Sequence, residues 1–206
     1  MVASLIRRRI HVISLHRSDP IGQCRKQPGM SKAQRQEVTF REASIADRLA
    51  VARVHVESWR ESFTGIVPQA FLDSMSVETR AKAFEKGFAS DCYQMFVAET
   101  QEHGVVGFAD FGKTRDGDSS YEGELYAIYL LRNFQRQGSG ARLFDLGVKH
   151  LIKRNMNSMS LLALEASPYK SFYEKMGGRV VGRKTVEMAG VEFTALVYGW
   201  DSLAES

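Results

Sequence analysis

The stretch Gln135-Arg136-Gln137-Gly138-Ser139-Gly140 constrains this chain more than any other. An apolar, aromatic run from Glu124 to Leu131 precedes it, and a helix-like run from Ala141 to Arg154 follows. A strand, a Gly-bearing turn and a helix N-terminus in that order bring unpaired backbone N–H groups and the positive end of a helix dipole to one point. Glycine lets that backbone approach a phosphate closely. The segment is therefore expected to grip a phosphorylated ligand. Two common phosphate loops do not fit. A Walker loop ends in Gly-Lys-Ser/Thr, whereas Gly140 is followed by Ala141-Arg142. A dinucleotide fingerprint needs a third glycine where Leu143 stands.

With 206 residues the chain is long enough for one domain with a proper core. Apolar content of 44% and charged content of 25% read as an ordinary globular protein. No apolar run approaches the ~20 residues of a membrane span, so no membrane partner is expected. Cys24 and Cys92 are far apart, with no Cys-x-x-Cys and no matching histidines, so neither zinc nor a disulfide framework is expected. A reducing, cytoplasmic compartment is the default. The net charge of +4 belongs to the first thirty residues, where Arg7, Arg8, Arg9, Arg17, Arg25 and Lys26 face only Asp19. The rest is slightly acidic, which argues against a nucleic-acid partner for the folded body. Residues 1–36 read as a basic leader and 37–203 as the domain. Three origins for the leader stay open: a start codon placed too early, with Met30 as the true start; an organellar presequence; or a basic disordered arm.

The period of the apolar residues orders the body. Residues 37–42 alternate as a first strand. Ser44 is set to cap a helix from Ile45 to about Trp59, whose Ile45, Leu49, Val51, Ala52, Val54, Val56 and Trp59 form a stripe facing the core. Pro68 opens a short helical turn, and Ser76 caps a helix to Phe88. Strands are expected over 93–99, 105–111 and 124–131. A helix over 138–154, a strand over 159–164 and a short helix over 168–176, ended by Gly177-Gly178, come next. A hairpin of 179–186 and 191–200 closes the chain. This order describes one mixed sheet with helices on both faces, an α/β (α+β) architecture.

Gln135-x-x-Gly138-x-Gly140 resembles the pyrophosphate loop of the GCN5-related N-acetyltransferase (GNAT) superfamily, and the order of elements from Val38 to Trp200 is similar to that family's. The resemblance implies the GNAT acyl-CoA N-acyltransferase fold, with a central, mostly antiparallel mixed sheet. It implies acetyl-CoA as co-substrate, bound by Gln135, Arg136, Gln137, Gly138, Ser139, Gly140 and Ala141. Ile128, Tyr129 and Leu130 would bind pantetheine through their backbone, at a point where the family's fourth and fifth strands splay. A backbone N–H there would face the oxyanion. Ser167-Pro168-Tyr169-Lys170-Ser171-Phe172-Tyr173-Glu174 resembles the family's second signature. In it Tyr173 matches the tyrosine that protonates the departing thiolate, and a phenol is protonated at neutral pH. Ser167 stands where the family's Asn helps hold the pantetheine arm, so the resemblance implies a cofactor contact there, made by a shorter side chain without the amide.

Glu124 is the first candidate for the base that deprotonates the amine, with Asp110 in reserve. The segment Val56 to Pro68 resembles one in a branch of small-molecule acetyltransferases, with Phe63 where that branch has Tyr, and Trp59, Phe63 and Tyr126 are the candidate walls of the acceptor pocket. Packing in the core is an equal reading for Trp59. His55, among apolar neighbours, reads as structural, and no metal is assigned. The expected reaction is acetyl transfer to a primary amine, on a small molecule or a protein, by direct attack in a ternary complex. The rivals are a non-catalytic acyl-CoA-binding module and a nucleic-acid binder working through the leader. The acceptor is not named by the sequence, and the oligomeric state, a homodimer among the options, is open.

Overall fold

The computed structural model describes residues 37–117 and 120–204; the leader and its three readings lie outside the described residues. Seven strands form one sheet: β1 (Thr39–Glu42), β2 (Tyr93–Thr100), β3 (Gly104–Lys113), β4 (Gly123–Leu130), β5 (Met159–Leu164), β6 (Arg179–Met188) and β7 (Val191–Trp200). Their spatial order is β1-β2-β3-β4-β5-β7-β6. All neighbouring pairs are antiparallel except β4 with β5. The helices are α1 (Arg48–Phe63), α2 (Gln69–Ser74), α3 (Val77–Phe88), α4 (Ser139–Lys153) and α5 (Lys170–Lys175).

Alternation along β3 assigns the layers. Phe108 meets His55 of α1 and Phe84 of α3 on one face. Phe111 turns to the other face, where α4 lies so close that a Cβ on Gly147 would stand 2.0 Å from its ring. A buried core thus fills both sides of the sheet, as the period-two pattern predicts.

α1 departs from its expected extent at both ends. A short 3-10 turn, Ile45–Asp47, precedes it, and the helix runs on to Phe63 before Gly65 breaks it at φ +79°. Ser44 N–H donates to the Asp47 carboxylate at 2.8 Å, a cap built on the predicted residue. The predicted stripe needs correction, because Ile45 and Leu49 are about half exposed. They follow β1 in the chain, and β1 is an edge of the sheet with no further strand beyond it among the described residues. Deeper in α1 the stripe is buried and includes His55, Ser58 and Ser62. Arg41 ties this corner together by bonding Asp47 and Glu99. Its guanidinium holds the Asp47 carboxyl down at about 2.

α5 starts at Lys170, two residues later than expected, because Ser167 and Pro168 form a turn before it. Its end is a Schellman motif: Gly178 N–H donates to Tyr173 O, Gly177 N–H to Glu174 O, and Gly177 takes φ +83°.

Candidate active site

The sheet opens at one place. β4 pairs with β5 only at Gly123–Met159 and Glu124–Ser160. From Leu125 onward no strand among the described residues pairs with the β5-facing edge of β4. An edge of this kind offers main-chain donors and acceptors to an extended arm. At its far end the chain turns through Arg132–Phe134 into the glycine loop. Gln135 is buried there, and its side-chain amide donates to Leu130 O at 2.8 Å, drawing the loop back against the end of β4.

Two residues of this loop are left-handed, Arg136 at φ +61° and Gly138 at φ +91°. Such an alternation points successive N–H groups into one concavity. Gly138 caps α4, and Arg142 is the first residue of that helix to donate back into it, to Gly138 O at 3.0 Å. The N–H groups of Ser139, Gly140 and Ala141 therefore lie at the helix N-terminus ahead of the first intrahelical acceptor. Gly140 has a packing reason too: a Cβ there would come within 3.2 Å of the Phe172 ring. The residues present fit a diphosphate followed by a narrow polar arm, which is the shape of coenzyme A.

A model of the GNAT acetyltransferase domain matches residues 53–198, well over half of the chain. The chain belongs to the GNAT acetyltransferase family. A curated relative, the uncharacterized N-acetyltransferase YuaI of Bacillus subtilis (strain 168), is 38% identical over 168 residues, which is 81% of this chain and 95% of YuaI. Among solved structures, PaiA N-acetyltransferase of Thermoplasma acidophilum in complex with coenzyme A is similar with a TM-score of 0.58 and 20% identity, over 78% of this chain and 98% of that one. YncA of Salmonella typhimurium, with its cofactor acetyl-CoA, is similar with a TM-score of 0.61 and 18% identity, over 81% and 94%. The expected fold and class are confirmed: the protein is an acetyl-CoA-dependent N-acetyltransferase.

On the α1–α3 face of the acetyltransferase lies a cleft of about 1300 Å³, bounded by α1, α3, the middle of the sheet and the β6–β7 turn. A bulge shapes its floor. Asp110 pairs with Ala127 but Phe111 pairs with Leu125, so Tyr126 is an extra residue in β4. Tyr126 and Ala127 consequently both reach the cleft, although neighbours in a strand ordinarily face opposite ways. A Cβ on Gly112 would stand 2.4 Å from the Tyr126 hydroxyl, which donates to Lys113 O at 2.5 Å. Burial holds the Tyr126 phenol well above its usual pKa.

The two candidate bases differ in their surroundings. Glu124 accepts from Arg115 through both oxygens, from the backbone N–H at 2.9 Å, from Nε at 3.1 Å and from a terminal nitrogen. Arg115 lies 4.0 Å over the Tyr126 ring. Burial works against its charge, yet the Glu124 carboxylate outweighs that and raises its pKa. Asp110 is 4% exposed, lines the cleft and accepts from the Tyr93 hydroxyl at 2.9 Å.

Of the predicted walls, Trp59 and Tyr126 line the cleft and Phe63 does not. Phe63 follows Trp59 by one helical turn into the core and packs on it at 4.5 Å. Trp59 donates its indole N–H to the Tyr129 hydroxyl at 2.7 Å. His55 is buried among aromatic rings and forms part of the cleft wall. Ser167 is 1% exposed, and its hydroxyl accepts from Tyr169 N–H at 3.2 Å, so it shapes the turn into α5.

Tyr173 is fully buried, its ring 5.2 Å from that of Tyr198. The Tyr198 hydroxyl has no hydrogen-bond partner among the described residues, and burial, with Glu174 nearby, pushes it up to about 12. Sequence reasoning missed Arg115, Tyr93 and Tyr198. The charge alternation of Arg115 with Glu124 across a hairpin was the one signal that could have revealed the first. A smaller cavity of about 510 Å³ at Gly65–Gln69 is lined by no ionisable side chain. Among the described residues no His, Cys, Asp and Glu side chains group as a metal site, and no helix is long and apolar enough to cross a membrane.

Proposed function

We propose that the enzyme acetylates a primary amine by direct attack within a ternary complex. The observation that carries this is the parting of β4 from β5 between the glycine loop and the aromatic cleft, which lets two substrates meet at one strand. Acetyl-CoA supplies an acetyl group activated as a thioester. The backbone of residues 135–141 binds its diphosphate, and the backbone of Ile128, Tyr129 and Leu130 aligns its arm. A main-chain N–H of this strand stabilises the carbonyl oxygen as it gains charge.

The acceptor arrives as an ammonium and must lose a proton before nitrogen attacks. Asp110 takes that proton. It lines the cleft and pairs in register with Ala127, one residue before the arm-binding segment. Glu124, the first choice from sequence, has both oxygens engaged by Arg115 and holds that guanidinium against Tyr126. A new C–N bond forms, the C–S bond breaks, and Tyr173 gives its proton to the thiolate.

Initial rates of thiol release, measured with both substrates varied, test this. Intersecting double-reciprocal lines are expected, and parallel lines would rule out direct attack. In the same assay Tyr173→Phe is expected to lower kcat by about 10²- to 10⁴-fold, the range that a general acid contributes. Unchanged kcat in a folded variant would remove Tyr173 from the chemistry. Coenzyme A binding with no thiol release from any amine would favour the non-catalytic binding module.

A further inference from the structure

We infer that the acceptor is a primary amine on an apolar, aromatic body, with no carboxylate beside the amine. This rests on the amine-acetylating reading above and narrows it.

The walls come first. His55, Trp59, Phe71 and Phe84 line the cleft and are in mutual ring contact: His55 with Trp59 at 5.8 Å, Trp59 with Phe71 at 5.9 Å and His55 with Phe84 at 6.1 Å. A largely aromatic wall of this kind gains from covering another ring. At about 1300 Å³ the cleft is roomier than a short alkylamine needs.

The floor decides the charge. Asp110 and Arg115 line it, and Glu124 is bonded to Arg115, so two carboxylates stand against one guanidinium. That guanidinium is committed to Glu124 by two side-chain donors and to the Tyr126 face. An ammonium approaching Asp110 is attracted. In an α-amino acid the carboxylate is held two bonds from the nitrogen, so it too must come down to the floor. There it meets carboxylates and a cation that is already matched. Burying an anion in such a place is strongly unfavourable. The other cations that line the cleft, Arg80 and Lys86, stand on α3, a wall of the cleft, and not on the β3–β4 floor that carries Asp110.

The experiment compares matched acceptors on the full chain with saturating acetyl-CoA, reading kcat/KM from thiol release. 2-Phenylethylamine and phenylalanine share a ring and an amine and differ by the carboxylate. Phenylalaninol replaces that carboxylate with a neutral group of similar size. 2-Phenylethylamine is expected to exceed phenylalanine by at least about 100-fold, the scale of one unpaired charge in a site of this kind. Phenylalaninol is expected to recover most of that factor, which separates charge from bulk. Phe71→Ala is expected to lower kcat/KM for 2-phenylethylamine by about 10-fold, and by much less for methylamine, which does not reach the wall.

Phenylalanine matching 2-phenylethylamine, or spermidine surpassing it, would overturn this inference and leave amine acetylation standing. Thiol release from no amine at all, with coenzyme A still bound, would overturn both.

Discussion

Asp110→Asn is expected to lower kcat by about 10²- to 10⁴-fold, the range for losing a general base. Asparagine keeps the size of the side chain and can still accept from the Tyr93 hydroxyl, which stands 2.9 Å from the carboxylate, so the fold has no reason to change. What disappears is the capacity to take a proton from the ammonium. The Michaelis constant for acetyl-CoA is expected to hold, since the site proposed for that substrate is main chain from Ile128 to Ala141 and does not include Asp110. Glu124→Gln makes the contrast. Gln retains one acceptor for Arg115 and loses the charge that pins it, so a change of under about 10-fold in kcat is expected. Steady-state kinetics across pH on both variants separates the assignments. If Glu124→Gln collapsed kcat and Asp110→Asn did not, the base would be Glu124.

Gly138→Val is expected to weaken coenzyme A binding by at least about 10-fold, measured by calorimetry. Gly138 has φ +91°, a region that a β-branched residue enters only with strain of about 1–3 kcal/mol. The space around it is open, since an added Cβ would meet nothing within 4 Å. Backbone strain rather than a clash is therefore the cost, and the loop relieves it by rotating its N–H groups away from the concavity. Stability is expected to fall only modestly, because relaxation at an exposed turn is cheap. Wild-type affinity in the variant would show that diphosphate recognition does not depend on this turn.

Much of this molecule was legible in the order of its residues. Period-two runs placed the strands, and Ser76, Gly65 and Gly177 punctuated the helices where local chemistry demands it. The glycine turn at the start of α4 was legible for the same reason, since it needs only neighbours in sequence. Three features were not. Ile45 and Leu49 satisfied the helical stripe yet face outward, because burial also depends on what lies beyond the edge strand β1. Phe63 read as a pocket wall, but α1 continues one turn past Trp59 and carries it into the core. Glu124 read as a lone acid at a strand start, whereas the β3–β4 hairpin closes Arg115 onto it.

The sequence by itself determined the family, the fold and the glycine turn before α4, because each is written in patterns of residues a few positions apart. Only the tertiary structure decided which acid lines the cleft, which aromatics wall it and where β4 leaves β5. Those depend on the bulge at Tyr126 and on strand pairing across long separations, where a shift of one residue changes which side chains face the cleft.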